Sequence, residues 1–271
     1  MSVVSVLLIV FLLTIFIAGA YHKRHSIINH IKPLIEKQSN LEKNISTMNP
    51  EPYIGKKDYI NVNNSDKNID ILVLGNSISL HGVVEGLWSH ESGMAASKKD
   101  NDYIHILMRS ISKNKNVGIY FEVVNIAEFE RYFNEFDFKR LSIVQSAKPQ
   151  YVIFQIGENV SSNDIVNRSE LFRTKYIELV NNFNNTTKII CLPFWPDKEK
   201  INIITDVAIQ TNSYIVDLSH LGSGLDGDNF AKSENKYSHP GVAAHPGDYG
   251  MNNIALNLYS VFNALLPNGM K

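Results

Sequence analysis

The sequence predicts an α/β domain in which a parallel β-sheet is covered by helices on both faces. Short apolar segments, such as 70–75 and 150–156, alternate along the chain with longer segments of helical periodicity, such as 198–211. Short apolar runs are typical of strands buried on both faces, and their alternation with helices indicates βαβ units with right-handed crossovers. The 271 residues, 44% hydrophobic and 20% charged, are enough for one such domain with additional segments.

The chain begins with an apolar stretch. Residues 3–20 contain no charged side chain, and Ser5 and Thr14 are their only hydroxyl residues. A run of about 18 such residues approaches the length that crosses a bilayer core. We therefore predict a transmembrane anchor over residues 1–20. A secretory signal peptide is the alternative, because residues 18–20, Ala-Gly-Ala, are similar to a cleavage site, but no Lys or Arg precedes the apolar run.

The orientation of this anchor depends on a small charge signal. Lys23 and Arg24 follow the apolar run. Positively charged flanks tend to stay in the cytoplasm, so the signal slightly favours a cytoplasmic domain on a single-pass membrane protein. An enzyme that acts on envelope glycans would face outward, and the orientation stays open.

A spacer is expected between the anchor and the domain. Residues 26–42 carry apolar residues close to helical spacing, with Pro33 as an interruption, and residues 43–68 are rich in Asn, Ser, Lys and Pro. We therefore predict a juxtamembrane helix and linker over residues 21–68 and a folded domain over residues 69–271.

The elements of the domain follow from the alternation of patterns. Strands are expected at 70–75, 119–125, 150–156, 187–192 and 213–217. Helices are expected at 102–115, 138–146, 165–183, 198–211 and 249–265. Two long irregular connections, 83–101 and 218–244, separate these elements, and long loops of this kind often carry functional residues.

Composition argues against several functional classes. The net charge is −1, from 26 basic and 27 acidic side chains, so no basic field indicates a nucleic-acid partner. The single cysteine, Cys191, lies in an apolar strand and cannot form an internal disulfide. The chain has no His-Glu-x-x-His pattern, no Cys/His cluster and no glycine-rich phosphate loop, so neither a metal nor a cofactor is predicted.

Three separated blocks carry the chemistry. In the first, the apolar run 71–74 is followed by Gly-Asn-Ser, ending at Ser77. In the second, the apolar run 151–156 is followed by Gly-Glu-Asn, ending at Asn159. The third, His-Pro-Gly-Asp-Tyr-Gly-Met, begins at His245 and leads into the last amphipathic segment. A serine just past the carboxyl end of a buried strand lies where open α/β sheets bind their ligands.

These blocks, in this order and at these strand ends, resemble those of the SGNH (GDSL-type) hydrolase family, and the resemblance covers roughly residues 69–266. It implies a flavodoxin-like three-layer α/β/α domain. It also implies a serine esterase that hydrolyses a carboxylic ester through a Ser-His acyl-enzyme. The implied substrates are small acyl esters or acylated glycans.

The resemblance assigns roles to the residues of the blocks. Ser77 would be the nucleophile and His245 the base that takes its proton, because a serine hydroxyl is a weak nucleophile near neutral pH. The side-chain amide of Asn159 and the backbone N–H of Ser77 would stabilise the oxyanion. His239 is the rival base, in a second His-Pro-Gly sequence. Asp248 is expected to cap the last helix.

The chain departs from the family pattern at three positions. Asn76 stands in place of the aspartate of the first block. The strand end at 124–128 lacks the family's glycine, which leaves the N–H of Ala127 as the expected third oxyanion donor. Val242 stands where the aspartate that orients the histidine is usual. Either a backbone carbonyl orients His245, or an acid arrives from elsewhere, with Glu158 the nearest candidate by motif position.

Two further functions remain open from the sequence. The same residues would serve an O-acyltransferase, with a sugar hydroxyl replacing water in the second step. The missing acid at Val242 and the missing glycine also fit a catalytically inactive binding or scaffold protein.

Overall fold

The computed structural model describes residues 55–224 and 227–266. Its strands are β1 (Gly55–Ile60), β2 (Asn68–Gly75), β3 (Gly118–Asn125), β4 (Tyr151–Gln155), β5 (Thr187–Cys191) and β6 (Tyr214–Val216). Its α-helices are α1 (Tyr103–Lys115), α2 (Ala127–Tyr132), α3 (Ser142–Ser146), α4 (Ser162–Asn181), α5 (Lys198–Gln210), α6 (Pro240–Ala243) and α7 (Asp248–Leu265). Short 3₁₀ turns cover Lys99–Asn101, Phe138–Leu141 and Ala231–Glu234.

The six strands form one sheet in the order β1-β3-β2-β4-β5-β6. The pairs β3–β2, β2–β4, β4–β5 and β5–β6 are parallel, and β1 is antiparallel to β3. The chain leaves the central strand β2 towards β3 on one side and later returns to β4 on the other. This change of direction places a crevice at the carboxyl ends of β2 and β4, the position where doubly wound sheets bind ligands.

Side chains of the central strand alternate between two apolar cores. Ile71 and Val73 of β2 lie in the core covered by α1 and α7, whereas Leu72 and Leu74 lie in the core covered by α4 and α5. Because both faces of the strand are buried, its sequence is continuously apolar. The predicted three-layer α/β/α fold is confirmed.

The predicted strands and most predicted helices agree with the structure, but the predicted domain boundary near residue 68 is wrong. β1 lies within the expected linker and pairs with β3 along its whole length. Its sequence, Gly-Lys-Lys-Asp-Tyr-Ile, lacks an apolar pattern because β1 is a largely exposed edge strand held by backbone hydrogen bonds. Helix α2, directly after β3, was also not predicted.

The predicted transmembrane anchor over residues 1–20 and the predicted juxtamembrane helix lie outside the described residues. Within 55–224 and 227–266, no helix combines the length and the apolarity that a membrane crossing requires.

Candidate active site

The loop that carries Ser77 turns immediately after β2. A Cβ atom on Gly75 would lie 2.0 Å from Oγ of Ser79, so only glycine allows this close approach. The backbone N–H groups of Ser79 and Leu80 both donate to the carbonyl of Asn76, at 3.0 Å each. This tight turn presents Ser77, half-buried, at the carboxyl edge of the sheet.

The residue that meets Ser77 comes from the other end of the domain. His245 precedes α7, and its carbonyl accepts the backbone N–H of Ala231 at 2.8 Å. Its ring nitrogen Nε2 lies 2.8 Å from Oγ of Ser77, although 168 positions separate the two residues. The structure therefore brings together the hydroxyl and the imidazole that the first and third blocks supply.

A backbone carbonyl holds the other nitrogen of this imidazole. Nδ1 of His245 lies 2.7 Å from the carbonyl oxygen of Gly241. Because a carbonyl can only accept, Nδ1 carries the proton, and the lone pair of Nε2 in the neutral ring faces the Ser77 hydroxyl. Of the two ways to orient His245 that the sequence left open, the structure has the backbone carbonyl.

The surroundings of the imidazole favour its neutral form. The ring of Trp195 meets it edge-on, with 5.2 Å between ring centroids, and Nε1 of Trp195 donates to the carbonyl of Ala244 at 3.1 Å. Burial lowers the pKa of His245 from 6.5 to about 4, opposed by the Gly241 hydrogen bond and assisted by nearby His81. Neutral imidazole is the form that accepts a proton, so the ring can act as a base over most of the pH range.

Two neighbouring residues have roles other than the expected ones. His239, the rival base, accepts the N–H of Gly241 at 3.2 Å and caps α6. Asp248 does not cap α7, whose N-cap residue is Gly247. Instead its carboxylate accepts the N–H of Ser97 at 2.7 Å, so it joins the start of α7 to the connection between β2 and α1.

The position of the missing acid is used for packing. Val242 is 1% exposed and belongs to an apolar cluster with Trp88, Met94, Ala95 and Ala231. A carboxylate there would be buried against apolar groups without a partner, at a cost of roughly several kcal/mol. Val242 therefore fits this fold, and the carbonyl of Gly241 takes over the orientation of His245.

Asn159 lies beside the nucleophile loop, held by a carboxyl group that the sequence did not indicate. Its Nδ2 lies 2.6 Å from Oε2 of Glu130, and its backbone N–H donates to Oε1 of Glu130 at 3.2 Å. An amide nitrogen carries two hydrogens, so one remains for an oxyanion. In the part of the chain that the structure describes, the backbone N–H of Ser77 has no acceptor, so it is the second available donor.

The third expected donor is not available. The N–H of Ala127 donates to Oδ1 of Asn125 at 2.9 Å. Asparagine side chains commonly bond to the backbone two residues on, and here the bond supports the entry into α2. The expectation that Ala127 contributes to the oxyanion hole is therefore wrong.

Glu158 is not the acid that orients His245. Its Oε2 accepts Nδ2 of Asn76 at 2.7 Å, and its Oε1 accepts Nε2 of Gln155 at 2.8 Å and the N–H of Phe194 at 3.1 Å. Burial, and secondly the nearby Glu130, raise the pKa of Glu158 to about 7. The carboxyl group of Glu158 therefore binds Asn76, Gln155 and Phe194, whereas the imidazole of His245 is held by the carbonyl of Gly241.

Sequence reasoning missed two functional groups. Glu130 is 0% exposed, but in a helix between Phe129 and Phe133 an acidic residue is expected to face solvent. The carbonyl of Gly241 is a backbone atom and leaves no side-chain signal.

The assembled groups are suited to attack on a carbonyl carbon. The hydroxyl of Ser77, the imidazole of His245 with its tautomer defined, and the N–H groups of Ser77 and Asn159 lie at one edge of the sheet. Groups of these kinds can support acyl transfer, and in the described part of the chain a backbone carbonyl, not a carboxylate, holds the imidazole.

Comparisons with known proteins concern the fold. No protein-family model and no curated protein matches the chain. Among solved structures, a lipase/acylhydrolase from Enterococcus faecalis is 16% identical, with a TM-score of 0.51, over 75% of this chain and 100% of that chain. A psychrotrophic esterase from Pseudoalteromonas sp. is 15% identical, with a TM-score of 0.49, over 73% of this chain and 98% of that chain. The described domain has the SGNH hydrolase fold.

Proposed function

Because the domain has the SGNH hydrolase fold, we propose that the chain is a serine ester hydrolase in which Ser77 forms an acyl-enzyme and His245 is the base. One observation carries the proposal: Nε2 of His245 lies 2.8 Å from Oγ of Ser77 while Nδ1 is bound to the carbonyl of Gly241. This geometry supports the proposal, because the hydroxyl lies within hydrogen-bond reach of the ring nitrogen that has a free lone pair.

In the first half of the reaction, Oγ of Ser77 attacks the acyl carbon of the ester and Nε2 of His245 takes the hydroxyl proton. The carbonyl oxygen becomes an oxyanion, which the N–H of Ser77 and the second amide hydrogen of Asn159 stabilise. Collapse of this intermediate breaks the bond to the alcohol oxygen. The imidazolium returns its proton to that oxygen, so the alcohol leaves neutral.

In the second half, water replaces the alcohol. Nε2 of His245 takes a proton from water, the resulting hydroxide attacks the acyl carbon, and Ser77 leaves with the proton. In both halves the transient charge on the imidazolium faces the dipole of the Gly241 carbonyl rather than a carboxylate. The carbonyl fixes the tautomer, but it compensates the positive charge less than an aspartate would.

The proposed substrate is a carboxylic ester, a class that includes acylated carbohydrates. The fold relative with a TM-score of 0.51 is named a lipase/acylhydrolase, which is consistent with acyl chemistry at this edge of the sheet. If a sugar hydroxyl takes the place of water in the second half, the same residues perform acyl transfer. Hydrolysis is the simpler reaction, because it needs no second binding site.

Covalent labelling tests the proposal. A fluorophosphonate probe should label the purified protein, and p-nitrophenyl acetate should be turned over. Ser77→Ala should abolish the labelling and lower kcat by about 10⁴-fold or more. Ser89→Ala, an exposed serine in the following loop, is the matched control and should leave both unchanged.

The outcomes separate the alternatives. A folded parent protein that neither reacts with the probe nor turns over any ester in a series of acyl lengths would overturn the proposal in favour of a binding protein. Undiminished labelling of Ser77→Ala would point to another nucleophile. An acylated sugar product that forms only when a sugar acceptor is added, with no free acid before that, would identify a transferase.

A further inference from the structure

One buried side chain joins the two loops that would carry the nucleophile and the oxyanion donor. Glu130, on α2, is 0% exposed. Its Oε1 accepts Nδ2 of Asn76 at 3.2 Å, the backbone N–H of Asn159 at 3.2 Å and the backbone N–H of Gly157. Its Oε2 accepts Nδ2 of Asn159 at 2.6 Å. Four N–H donors from the loops after β2 and β4 therefore converge on one carboxyl group.

We propose that Glu130 is a positioning residue for the ester hydrolysis proposed above: its carboxylate aims the amide of Asn159 at the oxyanion and ties it to the Ser77 loop. The inference rests on that function and adds a residue that is outside the hydrogen bond between Ser77 and His245.

Amide planarity gives the physical reason. The two hydrogens of an Asn side chain lie in one plane, so a hydrogen bond from one of them fixes the direction of the other. Without an acceptor such as Oε2 of Glu130, the amide of Asn159 can turn over and present its oxygen to the oxyanion. That orientation would repel the developing charge, whereas the bonded orientation supplies a preorganised donor.

A carboxylate suits this position better than its amide analogue. All four hydrogen bonds reach Glu130 from N–H groups. A glutamine would place its own NH₂ against a donor in either orientation of the amide. One oxygen would then be lost, either the acceptor for Nδ2 of Asn159 or the acceptor for the three donors on Oε1.

Asn76 is the residue that makes this arrangement possible. Its Nδ2 donates to Glu130 at 3.2 Å and to Glu158 at 2.7 Å, and its Oδ1 accepts the N–H of Ile78 at 3.0 Å. An aspartate at this position would place a third carboxyl group against two others in a buried site. The departure from the family pattern at Asn76 and the burial of Glu130 are thus two parts of one arrangement.

A buried cation completes the surroundings. Nζ of Lys200, on α5, donates to the backbone carbonyl of Glu158 at 2.9 Å. Lys200 is 8% exposed, and burial lowers the pKa of its ammonium, whereas the carboxylates of Asp197, Glu158 and Glu130 raise it. Its charge offsets part of the negative charge in the network.

The test compares two glutamates of the same helix. Glu130→Gln should lower kcat for p-nitrophenyl acetate by about 10²-fold, the scale of a lost oxyanion donor, with KM changed by less than about threefold. Glu128→Gln is the control, because Glu128 pairs with Arg140 at the surface, and it should leave both constants unchanged. Asn159→Ala should lose a similar factor, and the double variant should lose little more than either single variant.

The results distinguish this inference from the proposed function. Two results would show that Glu130 is not a positioning residue, provided that turnover depends on Ser77. In one, kcat of Glu130→Gln equals that of the control. In the other, the loss of kcat in the double variant is the product of the losses in Glu130→Gln and Asn159→Ala. If turnover does not depend on Ser77, the proposed function itself fails.

If the Glu130→Gln variant does not fold, a measurement on the parent protein still tests the inference. The side-chain amide signals of Asn159, assigned by their loss in Asn159→Ala, should show one hydrogen protected from exchange. The other should shift when a fluorophosphonate occupies Ser77. Two hydrogens that both exchange rapidly and do not respond to the adduct would overturn the inference.

Discussion

The groups that surround Ser77 differ in charge between its two sides. On one side, His245, the proposed base, contacts the carbonyl of Gly241 and the ring of Trp195. On the other side, the donor Asn159 contacts the carboxyl group of Glu130, with Glu158 close behind. In the Ser-His-Asp template the carboxylate stands behind the base, whereas in the described part of this chain a carboxyl group stands behind the proposed oxyanion donor.

This difference separates two tasks that one aspartate performs in a triad. Fixing the tautomer of the imidazole needs only an acceptor at Nδ1, which a backbone carbonyl supplies without the cost of burying a charge. In the template the same carboxylate also compensates the imidazolium charge, whereas among the described residues Nδ1 of His245 has only the carbonyl dipole of Gly241. On the side of Asn159, the buried carboxyl group of Glu130 instead holds in place the loops that follow β2 and β4.

The largest expected effect tests the base side. His245→Gln removes the proton acceptor and should lower kcat by about 10⁴-fold. His239→Asn removes the rival imidazole but keeps a side chain that can cap α6, so kcat should change by less than about threefold. Ester turnover by both purified variants is the measurement. A large loss in His239→Asn with activity retained in His245→Gln would reverse the assignment of the base.

The next effect tests the donor side. Asn76→Asp places a third carboxyl group between Glu130 and Glu158 and should lower the free energy of unfolding by about 3 kcal/mol. Asn76→Ala removes the same amide without adding charge and should cost less. Urea unfolding of the two variants at pH 8 measures the difference. An aspartate variant as stable as the alanine variant would show that Glu130 and Glu158 do not repel an added charge.

The smallest expected effect is a difference between the two sides in how protein stability depends on pH. His245 has its pKa lowered from 6.5 to about 4, so its contribution to stability is present above pH 6.5 and is lost as the pH falls towards 4. Glu158 has its pKa raised from 4.5 to about 7, so its contribution is present below pH 4.5 and is lost as the pH rises towards 7. Between pH 4.5 and 6.5 the two contributions change in opposite directions.

Urea midpoints at pH 4.5 and 6.5 measure this opposition. Relative to the parent, His245→Gln should lose stability as the pH rises over this interval, and Glu158→Gln should gain stability, by about 1–2 kcal/mol in each case. The acid limb of kcat/KM in the parent should lie near pH 4 rather than near 6.5. Parallel curves for the parent and both variants, or an acid limb near 6.5, would contradict the opposed shifts.

Much of the fold could be predicted from the sequence. The runs that became β2 and β4 are continuously apolar because both of their faces are buried, and α5 and α7 carry one apolar stripe each. Strand β1 escaped prediction because an exposed edge strand is held by backbone hydrogen bonds, which impose no side-chain pattern. Helix α2 was missed because six residues are too few to show a period.

By itself, the sequence determined the layered α/β architecture, because that depends on local periodicity, and its resemblance to the SGNH family named Ser77, His245 and Asn159 as the candidate groups. Only the tertiary structure decided what holds them. The carbonyl of Gly241 is a backbone atom, and the four donors on Glu130 come from separate loops. Hydrogen bonds between distant segments depend on how the chain packs, and no linear pattern records them.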